Sequence, residues 1–197
     1  MATTAAVKSL VPGQMTDEEF IAFYAGRPHG ERWQLIDGDL VMMTPPRLRH
    51  LRVAGNLSME LNIHFRRRAY PLYAFHEVGL MVPGGKRFRP TADIAIVPDT
   101  VDQATIWSDQ FLLAGEVLSE SNSVKQVERK RQRYMQHPDN LYVLVMAQDK
   151  PSIEVWSRRA SWERYDLRNP DDVLELPEWG FKTTLRVIYT GTAVTPR

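Results

Sequence analysis

Phe111-Leu112-Leu113-Ala114-Gly115-Glu116-Val117-Leu118-Ser119 is the stretch that decides the fold. Its first five residues are apolar, as in a strand at the centre of a sheet covered on both faces. Glu116 then closes the run. A carboxylate there is costly unless a cation pairs with it or a metal binds it. A second acid stands in a similar place upstream, where Asp93 opens Asp93-Ile94-Ala95-Ile96-Val97. Downstream, a helix is expected over about 123–136, capped by Ser121 or Asn122 and ended by Pro138 and Asn140. It carries Lys130.

Working outward, Leu141-Tyr142-Val143-Leu144-Val145-Met146 reads as another buried strand. Residues 152–157 and 162–167 read as a hairpin, and 171–190 as a final strand or two carrying Trp179 and Phe181. Upstream, strand-like pieces fall at 71–75, 77–82 and 92–97, and residues 99–109 read as loop. A helix is expected over about 47–69, with His50, Ala54, Leu57, Leu61 and Phe65 on one face. Asp37-Gly38-Asp39 between two apolar runs signals a hairpin. Thr16-Asp17-Glu18-Glu19 is a capping box opening a short helix. This order points to an α/β fold, a mixed sheet with helices on both sides, whose sites gather at strand ends. Residues 1–14 read as a flexible arm, 15–190 as one domain and 191–197 as a tail.

Composition narrows the chemistry. The 197 residues contain no cysteine, which excludes disulfides, cysteine-based zinc sites and thiol catalysis. Net charge is +1, so any nucleic-acid footprint must be local. Candidate basic clusters are Arg47, Arg49 and Arg52; Arg66-Arg67-Arg68; and Lys125, Arg129, Lys130, Arg131 and Arg133. No apolar run approaches the roughly 20 residues of a membrane helix, and no signal-peptide core is seen, so a cytoplasmic protein is expected. There is no glycine-rich phosphate loop and no nucleophile elbow.

On the helix after Glu116, Val124, Val127, Arg131, Tyr134 and Met135 cluster on one side. Lys130 falls at the border of that stripe, with Gln126 one turn before it. A border lysine can lay its stem along the core and carry its amine to the strand ends. Two carboxylates and an ammonium would then meet. Mg²⁺ or Mn²⁺ takes one or two carboxylates and keeps several waters, so Asp93 and Glu116 are candidate ligands, with the Val117 carbonyl as a third. The same residues also read as structural salt bridges, and spacing alone leaves both open. His50 likewise reads either as a core histidine bonded to backbone or as a side chain reaching the cleft.

Three blocks add a resemblance: Trp33-Gln34-Leu35-Ile36-Asp37-Gly38-Asp39-Leu40-Val41-Met42-Met43-Thr44-Pro45-Pro46, then His50, then Glu116-Val117-Leu118-Ser119 with Lys130 and Tyr134 following. Together they resemble the Uma family of restriction endonucleases, within the PD-(D/E)xK nuclease superfamily, over roughly residues 15–190. The resemblance implies a restriction-endonuclease-like core: a mixed central sheet flanked by helices, here with an extra N-terminal hairpin and C-terminal strands. It implies metal ligation by Asp93 and Glu116 and hydrolysis of DNA phosphodiesters. The superfamily's commoner lysine position is Leu118 here; in this family the lysine has moved to the helix, which assigns the role to Lys130. Gln34, Gln126, Tyr134 and His50 are expected as supporting residues. The chain departs from the family at three places. Gln34 stands where a glutamate is usual, Gln126 where an aspartate is usual, and the proline of Pro-Asp is displaced to Pro90. A neutral amide cannot act as a base or a charged ligand. The two glutamines therefore also suit a nuclease-fold module that binds nucleic acid or a protein partner without cutting. A two-fold homodimer is the expected assembly.

Overall fold

A computed structural model describes residues 13–28, 30–118 and 124–194. Most of the N-terminal arm, Ser119, the helix caps at Ser121 and Asn122, and the last three residues lie outside the described residues. Among those described, a seven-stranded mixed sheet forms the centre. Its strands are β3 (Leu72–Leu80), β5 (Thr91–Pro98), β6 (Trp107–Ser108), β7 (Leu113–Leu118), β8 (Tyr142–Ala147), β9 (Ile153–Ser157) and β10 (Arg164–Leu167). They lie in the order β10-β9-β8-β7-β5-β3-β6. β7 and β8 run parallel at the centre, joined through α3 (Val124–Gln136), and both are almost wholly buried.

Each face of the sheet is closed by one long helix. α2 (Leu48–Arg68) lays Val53, Leu57, Leu61 and Phe65 against Ile94, Ile96, Leu113 and Val117. The same core takes in the C-terminal pair β11 (Val173–Leu176) and β12 (Phe181–Thr184), with Trp179 between them. α3 covers the other face, where Val127 and Tyr134 pack with Ala95, Val97, Ala114 and Val143. The two helices thus bury the odd and even residues of β7, as period-2 alternation requires.

The N-terminal part docks onto α3. After α1 (Asp17–Ala25), opened by the Thr16–Glu19 capping box, β1 (Trp33–Ile36) and β2 (Asp39–Met42) pair antiparallel, with β4 (Phe88–Arg89) on the other side of β1. The two-residue Asp37-Gly38 turn has φ of 51° and 86°, the left-handed conformation that such hairpins demand. Gly38 is required twice over, since a Cβ there would lie 2.4 Å from the Gly13 carbonyl oxygen. Arg129 bonds Asp39 at 2.7 Å and Arg133 bonds Asp37 at 2.8 Å. The acids of the turn therefore pin the hairpin to the helix.

Several expectations are corrected. Residues 99–109 are not loop throughout, because Trp107 and Ser108 form β6, parallel to the end of β3. The pieces at 71–75 and 77–82 belong to one strand, β3, interrupted at Glu77. The tail adds a short helix, α4 (Leu185–Ile188), after β12. On α3, Val124 is 86% exposed; the buried stripe is Val127, Lys130 and Tyr134. Trp156 and Trp179 are core residues, and Trp33 and Trp107 pack around Phe20 and Leu35. No helix among the described residues is long and apolar enough to cross a membrane.

Candidate active site

β5 and β7 pair backbone to backbone only as far as Ile94 and Gly115. One residue further on, Asp93 replaces the backbone acceptor: its Oδ2 takes the Val117 N–H at 2.6 Å. Side-chain phase also changes here. On β5, Ile94 and Ile96 face α2, yet Ala92, of the same parity, joins the α3 core. On β3, Ala74 faces α2 while Val78 and Leu80 join the α3 core. The shift falls at Glu77, which has φ 50° within β3 and, like Asp93, drops out of a register that pairs His76 with Ile94 and Val78 with Ala92. Regular strands keep one parity per face, so this break re-aims the side chains around Asp93.

A cleft of about 410 Å³ opens there, and six expected residues line it: Gln34, His50, Asp93, Glu116, Gln126 and Lys130. Tyr134 lies beneath it, fully buried, and donates its O–H to Glu116 Oε1 at 2.9 Å. Val117 contributes its N–H to Asp93, while its side chain packs in the α2 core.

Glu116 and Lys130 form the floor. They are 2% and 5% exposed, and Lys130 Nζ donates to Glu116 Oε2 at 2.5 Å and to the Thr91 carbonyl at 2.7 Å. Lys130 is thus buried, not at the border of the helix stripe, because its amine has two acceptors within the sheet. Burial pushes the Glu116 carboxyl up to about 7, against the pull of Lys130 and of the Tyr134 hydroxyl. Tyr134 is held well above its ordinary range by burial and by the charge of Glu116. His50 reaches the cleft, the second of its two readings, with Nε2 3.2 Å from Asp93 Oδ1. Burial pulls its pKa down, but the Asp93 bond and the charges of Asp93, Glu116 and Glu77 outweigh it, and the imidazole ends above its ordinary value. Gln34 Oε1 accepts the Thr91 N–H at 3.3 Å. The Thr91 backbone is therefore held at its N–H by Gln34 and at its carbonyl by Lys130.

The basic clusters sort differently. Arg131 pairs with Glu128 and stacks over Trp156 at 4.6 Å, while Arg129 and Arg133 hold the hairpin. The arginines of α3 are therefore structural. Arg66, Arg67 and Arg68 sit in the last turn of α2, roughly 24–27 Å along the helix from His50 at 1.5 Å per residue. His64, His76 and His137, which have no metal-like spacing in the sequence, bond to the Trp179 carbonyl, Ser58 and the Asp109 carbonyl respectively. Two cleft residues, Arg32 and Glu77, were not legible as site residues, since a left-handed glutamate inside a strand leaves no mark in composition.

The site fits a hard divalent cation in donor type. Two carboxylates, Asp93 and Glu116, line one cleft with room for water. That suits an ion held by one or two acids plus waters more than one in an all-protein cage. Two acids on neighbouring strands and a buried lysine from the next helix thus line one cleft of this α/β fold. A crystal structure of a "putative nuclease belonging to DUF820" from Anabaena variabilis ATCC 29413 shares this fold, with a TM-score of 0.71, 15% identity, and coverage of 89% of this chain and 97% of that one. The Uma2 family, described as "Putative restriction endonuclease", matches residues 17–186, and the chain belongs to it. No curated protein matches the chain.

Removing one member of a buried ion pair strands the other, at a cost of about 3–5 kcal/mol. Lys130→Met should lower unfolding stability by that order, and adding Glu116→Gln should recover part of the loss, both read by urea denaturation. Glu116 also gives a pH signature in the metal-free protein. Its folded pKa lies above the unfolded value of 4.5. Between the two, the folded state keeps a proton that the unfolded chain has released, so this group's contribution to stability falls as pH rises from about 4.5 to about 7. Glu116→Gln should flatten that slope in urea midpoints taken across the window.

Proposed function

We propose that this chain is a divalent-metal-dependent endonuclease that hydrolyses DNA phosphodiester bonds. The observation that carries the reading is the convergence of Asp93, Glu116 and Lys130 on one cleft. Asp93 and Glu116 would hold Mg²⁺ or Mn²⁺, as family membership suggests. Such an ion would supply Lewis-acid polarisation and an activated water. Lys130 fixes the rotamer of Glu116 and brings positive charge to the floor of the cleft, where it stabilises negative charge developing on the phosphoryl group. Tyr134 holds the other Glu116 oxygen, so both of its oxygens are fixed before substrate arrives. His50 orients Asp93 from α2, and the Val117 N–H orients it from β7. Gln34 steadies the Thr91 carbonyl that anchors Lys130, and Gln126 lines the approach from α3.

One observation favours a second reading, a module that binds nucleic acid or a protein partner without cutting. Gln34 is neutral, and its carbonyl oxygen is already occupied by the Thr91 N–H. It thus cannot add a charge to the site as a glutamate would.

Asp93→Asn separates the readings, because an amide oxygen can still accept the Val117 N–H while the charge is lost. The nuclease reading expects wild type to nick supercoiled plasmid in Mg²⁺ or Mn²⁺ but not in EDTA. It expects Asp93→Asn to lose at least about a hundredfold in rate, as loss of a catalytic electrostatic group does, with the melting temperature nearly unchanged. Wild type that is inert toward DNA in either metal would favour the binding module.

A further inference from the structure

We propose that Arg32 is a phosphate-binding cation of the cleft and that Glu77 is its stand-in counter-ion, displaced when a nucleic-acid phosphate arrives. This rests on the nuclease reading and names the residue through which the cleft would take hold of its substrate's backbone.

The charges of the site lead to it. The cleft contains Asp93, Glu116 and Glu77, so a polyanion needs a cation that lines the cleft and can exchange its partner. Lys130 is buried and bonded to Glu116 and Thr91. The arginines of α3 hold Asp37, Asp39 and Glu128. Arg32 and Arg47 line the cleft, and Arg32 is paired there with an acid of the cleft itself. It lines the cleft at the foot of β1, where its carbonyl accepts the Met43 N–H at 2.8 Å and fixes its backbone. Its side chain is 35% exposed and meets Glu77, 34% exposed, at 2.7 Å through Nη1. A half-exposed pair of this kind contributes little to stability, so exchanging the carboxylate for a phosphate oxygen is inexpensive. Arginine suits the exchange, since its planar fork matches phosphate geometry.

Glu77 shows the arrangement from the other side. A non-glycine residue at positive φ within a strand is strained, and such residues cluster where a site requires them. Glu77 sits on β3 between His76 and Val78, which pair with Ile94 and Ala92 on either side of Asp93, and both acids line the cleft. The guanidinium that Glu77 holds is thereby kept within a side chain's reach of the metal-binding carboxylates. Before substrate binds, Glu77 keeps Arg32 extended into the cleft; afterwards its own charge opposes the polyanion. The two halves of one ion pair should therefore have opposite effects on binding.

The test is fluorescence anisotropy with a labelled mixed-sequence DNA duplex, Ca²⁺ replacing Mg²⁺ to hold back cleavage, over a range of salt. Arg32→Ala should weaken binding about tenfold or more and reduce the salt slope by about one. Glu77→Gln should tighten binding. An ion pair that only supports the fold would instead make both variants bind more weakly as both lose melting temperature, and that result overturns the proposal. So does an Arg32→Ala variant that binds as wild type does, which leaves the nuclease reading standing. Wild type with no affinity for DNA overturns the nuclease reading, and the proposal with it.

Discussion

Everything at this site depends on a carboxylate and an ammonium buried together at the centre of the sheet. Glu116 is 2% exposed and Lys130 is 5% exposed, and neither charge is tolerable there without the other. The pair fixes the position of α3 against β7. α3 in turn holds the N-terminal hairpin through Arg129 and Arg133. That hairpin supplies the wall of the cleft that bears Gln34 and Arg32. A buried ion pair adds little stability compared with well-packed apolar residues of the same volume. Its retention here is explained by what it arranges: a carboxylate held at both oxygens, beside a second carboxylate held by a histidine and a backbone amide.

The second constraint is the break in alternation at Glu77 and Asp93, where the pairing of β3 with β5 skips one residue on each strand. Without it, Ala92 and Ile94 would lie on the same face of β5. With it, the backbone pairing between β5 and β7 stops, and an aspartate side chain takes over the hydrogen bond that a carbonyl would have accepted. The cleft opens at the point where the strands part. The strain at Glu77 and the opening at Asp93 are thus two views of one local departure from a regular sheet.

Much of this was legible in the sequence. The apolar run ending in Glu116 announced a central strand with a charge at its end, and the Asp-Gly turn announced the hairpin. The resemblance to the Uma family brought Lys130 forward despite its distance from Glu116 along the chain. Three features were not legible, each for a physical reason. Lys130 looked like a border residue because helix angles do not reveal that Thr91 offers it a buried carbonyl. Val124 looked like a core residue because its apolarity says nothing about where α3 leaves the sheet. Arg32 and Glu77 carried no signal in the sequence because a backbone torsion, not a motif, marks Glu77 at the cleft. The α3 arginines were candidates for a phosphate groove on charge alone, although their two-residue spacing bars all three from one groove; each guanidinium meets a carboxylate.

The central claim is that Asp93 and Glu116 together hold a divalent cation. Titration calorimetry of Mn²⁺ into the wild-type protein and into Asp93→Asn tests it most directly. The account predicts a binding isotherm for wild type that is abolished or strongly weakened in the variant. Equal binding by the two proteins, or none by wild type, would contradict it.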